Sequence, residues 1–245
     1  AVAGLAAAGA AGAGTITLEG DVNEASIGAG SVINAPGGVQ VRARTNHEFD
    51  AEAVGGSASL LFAASVGAGF TYANSEARAQ VDGSVNTDGA LDVVASTDND
   101  YSPDGLGLAS AGLIAIAGSV EANVIGNITR AGIGGGTITA DSVAVTATDS
   151  SKLSGDTGAL AASGLAAAGA SAAVNVMTNT VEAYIGDAEV STAGGNVDVT
   201  AGSHYDVDAL ALGLSAAGLV AGVGTLTYND LSNVTSASLR EGAVI

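Results

Sequence analysis

The sequence predicts an all-β fold: a parallel β-helix, or β-solenoid, of stacked repeats about 52 residues long, with the right-handed coil that parallel crossovers prefer. Three observations carry this. Short strings recur at near-constant spacing, apolar residues within them alternate, and the text between them is rich in Gly and Asp. The first anchor is ASIG at 25–28, AQVD at 79–82, AGIG at 131–134, AYIG at 183–186 and ASLR at 237–240. Its third residues, Ile27, Val81, Ile133, Ile185 and Leu239, lie 54, 52, 52 and 54 apart. A second anchor sets Val39, Leu91, Val143 and Val197 at spacings of 52, 52 and 54. A third repeats Asn123, Asn175 and Asn229, and with them Asn127, Asn179 and Asn233, at 52 and 54. Upstream, Gly112, Gly164 and Gly218 each open a small-residue run, and GLAAAG at 4–9 reads as the same feature in the first copy.

The units fall at about 1–50, 51–101, 102–153, 154–207 and 208–245, forming one array. The array opens inside one small-residue run and stops partway into a unit, so it is expected to be a fragment of a longer chain.

Within a unit, the second anchor alternates: Val197, Val199 and Ala201 point one way, Asp198 and Thr200 the other. Period two with β-branched residues is a half-buried strand. The polar stretches that follow, RTNHEFD, STDNDYSPDG, TDSSKLSGDTG and GSHYDVD, read as turns or loops. The Ala/Gly runs have helical content in alanine, but each interior Gly costs a helix about 1 kcal/mol, and ITLEGDV and GTLTYND are rich in β-branched residues. These runs are expected to be strands buried on both faces between close layers. GDAEVSTAGGN adds a short strand bracketed by Gly. A unit of this kind cannot bury its apolar face alone, and stacking copies about 4.8 Å apart solves that. One wide coil per repeat and two coils of ordinary girth both fit the spacing.

Stacking predicts ladders. Asn123, Asn175 and Asn229 form one amide column, and Asn127, Asn179 and Asn233 another. Thr17 and Thr71, with Asp21 and Ser75, take these places in the first copies.

Composition removes several functions. Lys and Arg total 6 against 25 Asp and Glu, a net charge of −19 that disfavours nucleic acid. With no Cys there is no disulfide, thiol nucleophile or Cys-ligated metal. His47 and His204 are too few for a zinc site and read as surface loop residues. The runs 159–174 and 209–224 are shorter than the ~20 residues of a spanning helix, so membrane insertion is not expected.

The run of Ala, Gly and Val followed by VNVMTNTVEAYIGDAEVSTAGGNVDVTA at 174–201 resembles the repeat arrays of secreted filamentous haemagglutinin-like and leukotoxin-like bacterial adhesins. The resemblance covers essentially the whole chain. The copies at 102–153 and 154–207 match best, and the one at 51–101 is degenerate, with AQVDG where AYIG-like text is expected. It implies a β-helical stalk on the bacterial surface: a non-catalytic adhesin segment giving reach, rigidity and attachment. Implied partners are neighbouring repeats, copies of the chain joined end to end, and a host-cell or surface glycan.

The alternative reading is a glycan-binding or polysaccharide-degrading β-helix with a flank site in the most divergent stretch, 70–104, around Phe70, Tyr72, Tyr101 and the acidic residues. The matching acidic residues are Asp206 and Asp208, and Arg42, Arg44, Arg78, Arg130, Lys152 and Arg240 read as occupying unrelated positions in the unit. No cofactor is expected. Asp98, Asp100 and Asp104 are the candidate calcium ligands, but the segment lacks the twelve-residue pattern ending in Glu, so loose screening by divalent ions is the stronger expectation. Asn127-Ile-Thr and Asn233-Val-Thr match a glycosylation sequon but belong to the Asn ladder.

Overall fold

The computed structural model describes residues 2–245; Ala1, where the first expected unit opens, lies outside them. Every described element is a β-strand or a short turn, and all strand pairs are parallel. The strands are β1 (Val2–Ile27), β2 (Val32–Ala35), β3 (Val39–Val81), β4 (Ser84–Thr87), β5 (Leu91–Ala111), β6 (Ile114–Ile125), β7 (Ile128–Ala140), β8 (Val143–Ser163), β9 (Ala166–Met177), β10 (Thr180–Thr192), β11 (Val197–Ala216), β12 (Val220–Leu231) and β13 (Val234–Leu239).

One repeat is one wide, flattened coil. Leu91 pairs with Val143 at an offset of 52, and Val143 with Val197 at 54, so each residue lies beside its own copy one turn on. A long strand (β5, β8, β11 and the first half of β3) runs outward. The chain turns sharply at Gly112-Leu113, Gly164-Leu165 or Gly218-Leu219 and returns along a shorter pair of strands such as β6 and β7. The outgoing strands form one sheet and the returning strands the second, joined through β3. The turn glycines stack: a Cβ on Gly112 would collide with the Leu60 carbonyl, and one on Gly164 with that of Gly112. The first copy departs from the predicted pattern. Ala8 pairs with Phe62, so the GLAAAG run lies about two residues out of phase with this column, in which β3 carries Leu60.

The anchors align as expected. Ile27, Val81, Ile133, Ile185 and Leu239 form one column, and Val39, Leu91, Val143 and Val197 another. The copy at 51–101 keeps full register despite its divergent text.

The interior tapers. At the broad end Val, Ile and Leu pack together, among them Val81, Leu91, Ile133, Ile138 and Val145. Midway, Tyr101, Leu153, Ile125 and Met177 fill the space. At the narrow end the apolar core is built of alanine, Ala63, Ala109, Ala115, Ala117, Ala159 and Ala161, with the buried serines Ser57, Ser59 and Ser65 in the same columns. Small side chains let the sheets converge, and where Gly107 faces Gly118 a single added Cβ would run into the opposite backbone.

Two expectations are corrected. The polar stretches are not loops: residues 44–50, 96–105, 148–158 and 202–208 run inside β3, β5, β8 and β11. Their alternation is real but polar on both sides, with Thr97 and Asn99 pointing in and Asp98 and Asp100 pointing out. The inward groups find hydrogen bonds across the coil, which is what allows polar side chains in a strand core. The Ala/Gly runs are buried on one face only. Ala159, Ala161 and Ala167 point in, whereas Leu160, Ala162, Ala168 and Ala170 face outward and are exposed.

Candidate functional site

Two polar bands cross the interior between the three apolar clusters, and they hold the chemistry of the molecule. In the first band Thr97 and Thr129 hydroxyls meet at 2.6 Å from opposite sheets, and the Asn127 amide donates to Ser151 Oγ at 3.1 Å. In the second, Ser119 donates to the Gly105 carbonyl at 3.1 Å and also meets the Thr157 hydroxyl.

The two predicted asparagine columns work differently. Asn123 donates its amide to Asn175 at 2.8 Å, and Asn175 to Asn229 at 2.9 Å, a side-chain ladder along the stack. The other column bonds to backbone. The amide oxygen of Asn127 accepts from the Ser75 N–H at 3.3 Å, that of Asn179 from the Asn127 N–H at 2.9 Å, and that of Asn233 from the Asn179 N–H at 2.7 Å. These asparagines sit where the returning strand is interrupted, between β6 and β7, β9 and β10, and β12 and β13. The break frees a backbone donor, and the amide of the next coil takes it. In the first copies Thr17 and Thr71 occupy the first column and Asp21 and Ser75 the second, as the spacing predicts.

Carboxylates also sit inside. Glu121 is fully buried, accepts from Asn123 at 2.6 Å, and has no partner for its other oxygen. Burial pushes its pKa up to about 7, against the lowering effect of the Asn123 hydrogen bond and with small upward contributions from Asp104 and Asp156. Asp149 is likewise buried. Desolvation raises its pKa to about 6, while hydrogen bonds from Ser151, at 2.5 Å, and Tyr205 oppose the rise. Tyr101 is buried beside Asn99, and its phenol is pushed up to about 12, mainly by burial.

The N-terminal coil carries a third polar group. His47 Nδ1 lies 2.8 Å from Glu19 and its Nε2 3.3 Å from Asp21, while Asn23 donates to Asp21 at 2.8 Å. Burial raises the Glu19 pKa, His47 lowers it and Asp21 raises it further. His47 is therefore an inward residue in the column of Asn99, Ser151 and Tyr205, not the surface loop residue expected. His204 is exposed, as expected, but on the outer face of β11. Glu19 stands in the column that holds Ala73, Ile125, Met177 and Leu231 in later coils, so nothing in the repeat announces an acid there.

The other sequence-singled residues do not converge. Asp98, Asp100 and Asp104 all point outward along β5, and Asp98 is paired with Arg44 at 3.4 Å. From Asp98 to Asp104 the strand advances about 20 Å, so the three cannot close around one ion. Asp206 and Asp208 face outward on β11. In the 70–104 stretch, Phe70 and Tyr72 lie on the outer face of the returning sheet, Tyr101 lies inside, and the acidic residues lie on the outer face of the outgoing sheet. Among the described residues, no group of three or more His, Asp or Glu is placed to hold a metal ion.

Arginines do recur, which corrects the sequence reading. Arg78 and Arg130 pair one above the other, 52 residues apart, and Glu182 continues their column. Arg130 bonds Glu182 at 2.8 Å, Arg240 also reaches Glu182, and Arg78 pairs with Glu76. Burial works to raise the Glu182 pKa, but hydrogen bonds from Arg240 and Arg130 outweigh it and hold the carboxyl below its usual range. The Arg240 guanidinium stacks 3.5 Å from the centroid of Tyr184, whose hydroxyl donates to Gln80 at 2.7 Å. A shallow groove of about 290 Å³ lies among Glu24, Arg78, Gln80, Asp82, Arg130 and Tyr184. Its cations are matched by carboxylates within the column, so it is a self-neutralised surface.

Comparison with known proteins returns no matching family model, no matching curated protein and no matching solved structure. The class that the fold defines is a parallel β-solenoid with one broad coil per repeat.

Proposed function

We propose that the chain is a non-catalytic segment of an extracellular stalk or fibre of a bacterial surface adhesin. The observation that carries this reading is the unbroken register of the coils. From Ile27 through Leu239 one column of aliphatic side chains repeats on every turn, and from the second coil onward asparagine side chains bond one coil to the next. Such a chain puts its sequence into propagation, and the resemblance to filamentous adhesin arrays points to the bacterial surface as its setting. The buried acids support a structural role, because Glu121 and Asp149 face the interior and are held by interior side chains, Glu121 by Asn123 of the ladder and Asp149 by Ser151. The acidic outer face of the outgoing sheet opposes contact between such arrays through that sheet.

The reading is tested by lengthening the array. Chains with added 52-residue coils, studied by small-angle scattering, should grow by about 4.8 Å per coil at constant cross-section. Length that does not scale with coil number removes the stalk reading. Hydrolysis of a polysaccharide by the purified chain removes the non-catalytic part.

A further inference from the structure

The two outer faces of the molecule differ sharply in charge. The outgoing sheet displays Glu48, Glu52, Asp92, Asp98, Asp100 and Asp104 among its outward residues. The returning sheet, over residues 8–18 of β1, 62–72 of β3, β6, the first eleven residues of β9 and the first eleven of β12, displays a single charged side chain, Asp230, at one corner. Everywhere else its outward positions hold Ala, Gly, Val, Ile, Leu, Phe or Tyr, in a chain whose net charge is −19. Ile116 is 54 % exposed, Val120 49 % and Phe70 39 %, so this is a wetted apolar face and not part of the core.

We propose that this face packs against the same face of a second copy of the chain, giving a closed two-fold dimer in which four β layers stack. Three observations select that occupant. The face spans about eleven residues by five strands, roughly 850 Å² at ~3.3 Å per residue and ~4.8 Å per strand, and a stable interface buries about 800 Å² per partner. It exceeds the few hundred Å² that a monomer ordinarily leaves apolar.

Charge is the second. Copies bearing this much negative charge repel through the acidic half of the outgoing sheet. Its narrow half, with Leu108, Leu160, Leu212 and Leu214, is also free of charge but about half as large, so the returning face is the broader surface on which copies approach without opposing carboxylates. Its boundary argues against a bilayer as occupant. Toward the broad end the returning sheet passes to a column of Glu24, Arg78, Arg130 and Glu182, whose two arginines are held by Glu76 and Glu182, so that border is charge-balanced, whereas surfaces that lie in membranes are flanked by an excess of basic anchors.

Relief is the third. On β6, Ile116 and Val120 stand proud on either side of Gly118, and the neighbouring β9 presents Ala168, Ala170 and Ala172 at the paired positions. A hollow of about 360 Å³ among Ala8, Ala10, Phe62, Ala64, Ile114 and Ile116 lies on the same face. A two-fold axis brings the ridge of one copy over the low ground of the other, the self-complementarity that an isologous contact requires. Sheets packed this way lie about 10 Å apart. The contact is lateral, so it is separate from stacking along the array and stands whether or not the stalk reading does.

The test is sedimentation of the purified chain beside the double variant Ile116→Glu, Val120→Glu, with circular dichroism to show that the variant keeps its strands. The wild type should sediment at twice 23.1 kDa, and the variant should be monomeric with its dissociation constant raised about tenfold or more. As a second measurement that does not depend on that variant, the chain has no Cys, so Val120→Cys and Asp104→Cys each introduce one thiol. A short bismaleimide should join copies through residue 120 and not through residue 104. A wild-type monomer overturns the proposal. So does association that survives the double substitution, or an open-ended series of masses, which marks contact through the ends. Flotation of the wild type, but not the variant, with phosphatidylcholine vesicles makes lipid the occupant and overturns it as well.

Discussion

At the scale of single residues, the interior columns decide stability. Asn175 gives and receives an amide hydrogen bond in the ladder, so Asn175→Ala leaves Asn123 bonded to Glu121 alone, with one buried amide hydrogen unpaired, and takes the donor from Asn229 at the exposed end. Each orphaned buried group costs about 1–3 kcal/mol, and the urea midpoint should fall accordingly, whereas Asn229→Ala at the partly open end should cost less. Glu121 makes a prediction in pH. Its folded pKa of about 7 exceeds the ordinary 4.5, so the folded chain holds this proton more tightly than the unfolded one. The acid therefore leaves stability intact below about pH 4.5 and erodes it as pH rises to 7, by roughly 3 kcal/mol at full ionisation. Glu121→Gln should flatten the dependence of the urea midpoint on pH across that window, and a slope identical to wild type would count against the buried charge. The Asn columns were legible from spacing alone because they recur. Glu121 and Glu19 were not, since each replaces an unrelated residue of its column, and a repeat reveals what it shares.

At the scale of elements, the returning and outgoing strands must come close at the narrow end. Gly107 lies against the Gly118 backbone, so Gly107→Val should lower the melting temperature through overpacking worth about 1–3 kcal/mol, while Gly222→Ala, which meets open space, should be nearly neutral. The acidic segment of β5 should ignore chelation. With Asp98, Asp100 and Asp104 strung along one outer face, EDTA should leave the melting curve unchanged, and a drop of several degrees would restore a bound cation. Strand against helix was readable from the alternation at Val197 and Val199. Strand against loop was not readable at TDSSKLSGDTG, because composition marks such text as a turn, whereas the parallel ladder to the neighbouring coils holds it extended and groups such as Asn127 of the opposite sheet satisfy its inward side chains. The outward exposure of Leu160 was hidden for a related reason. Apolar residues on both sides of a strand look the same in sequence whether two layers cover it or one.

At the scale of the whole molecule, the offset between copies makes a cut-and-join experiment decisive. Deleting residues 91–142 removes one full turn and returns Ala90 to a continuation at Val143, in the column of Leu91. The shortened chain should fold with less stability and one coil fewer, whereas removing 91–116 should abolish cooperative unfolding, since every inward column loses its match. Spacing disclosed the period. It did not disclose the girth, because one turn of 52 residues and two turns of 26 leave the same marks in the text.

That girth has a mechanical consequence. An outgoing strand of 21 residues is about 70 Å long, and each further turn adds only about 4.8 Å of height. A long array of this section behaves like a ruler: it yields when pushed on its flat side and resists when pushed on its edge. Anything such a body holds is free to sway in one plane and is kept steady in the other.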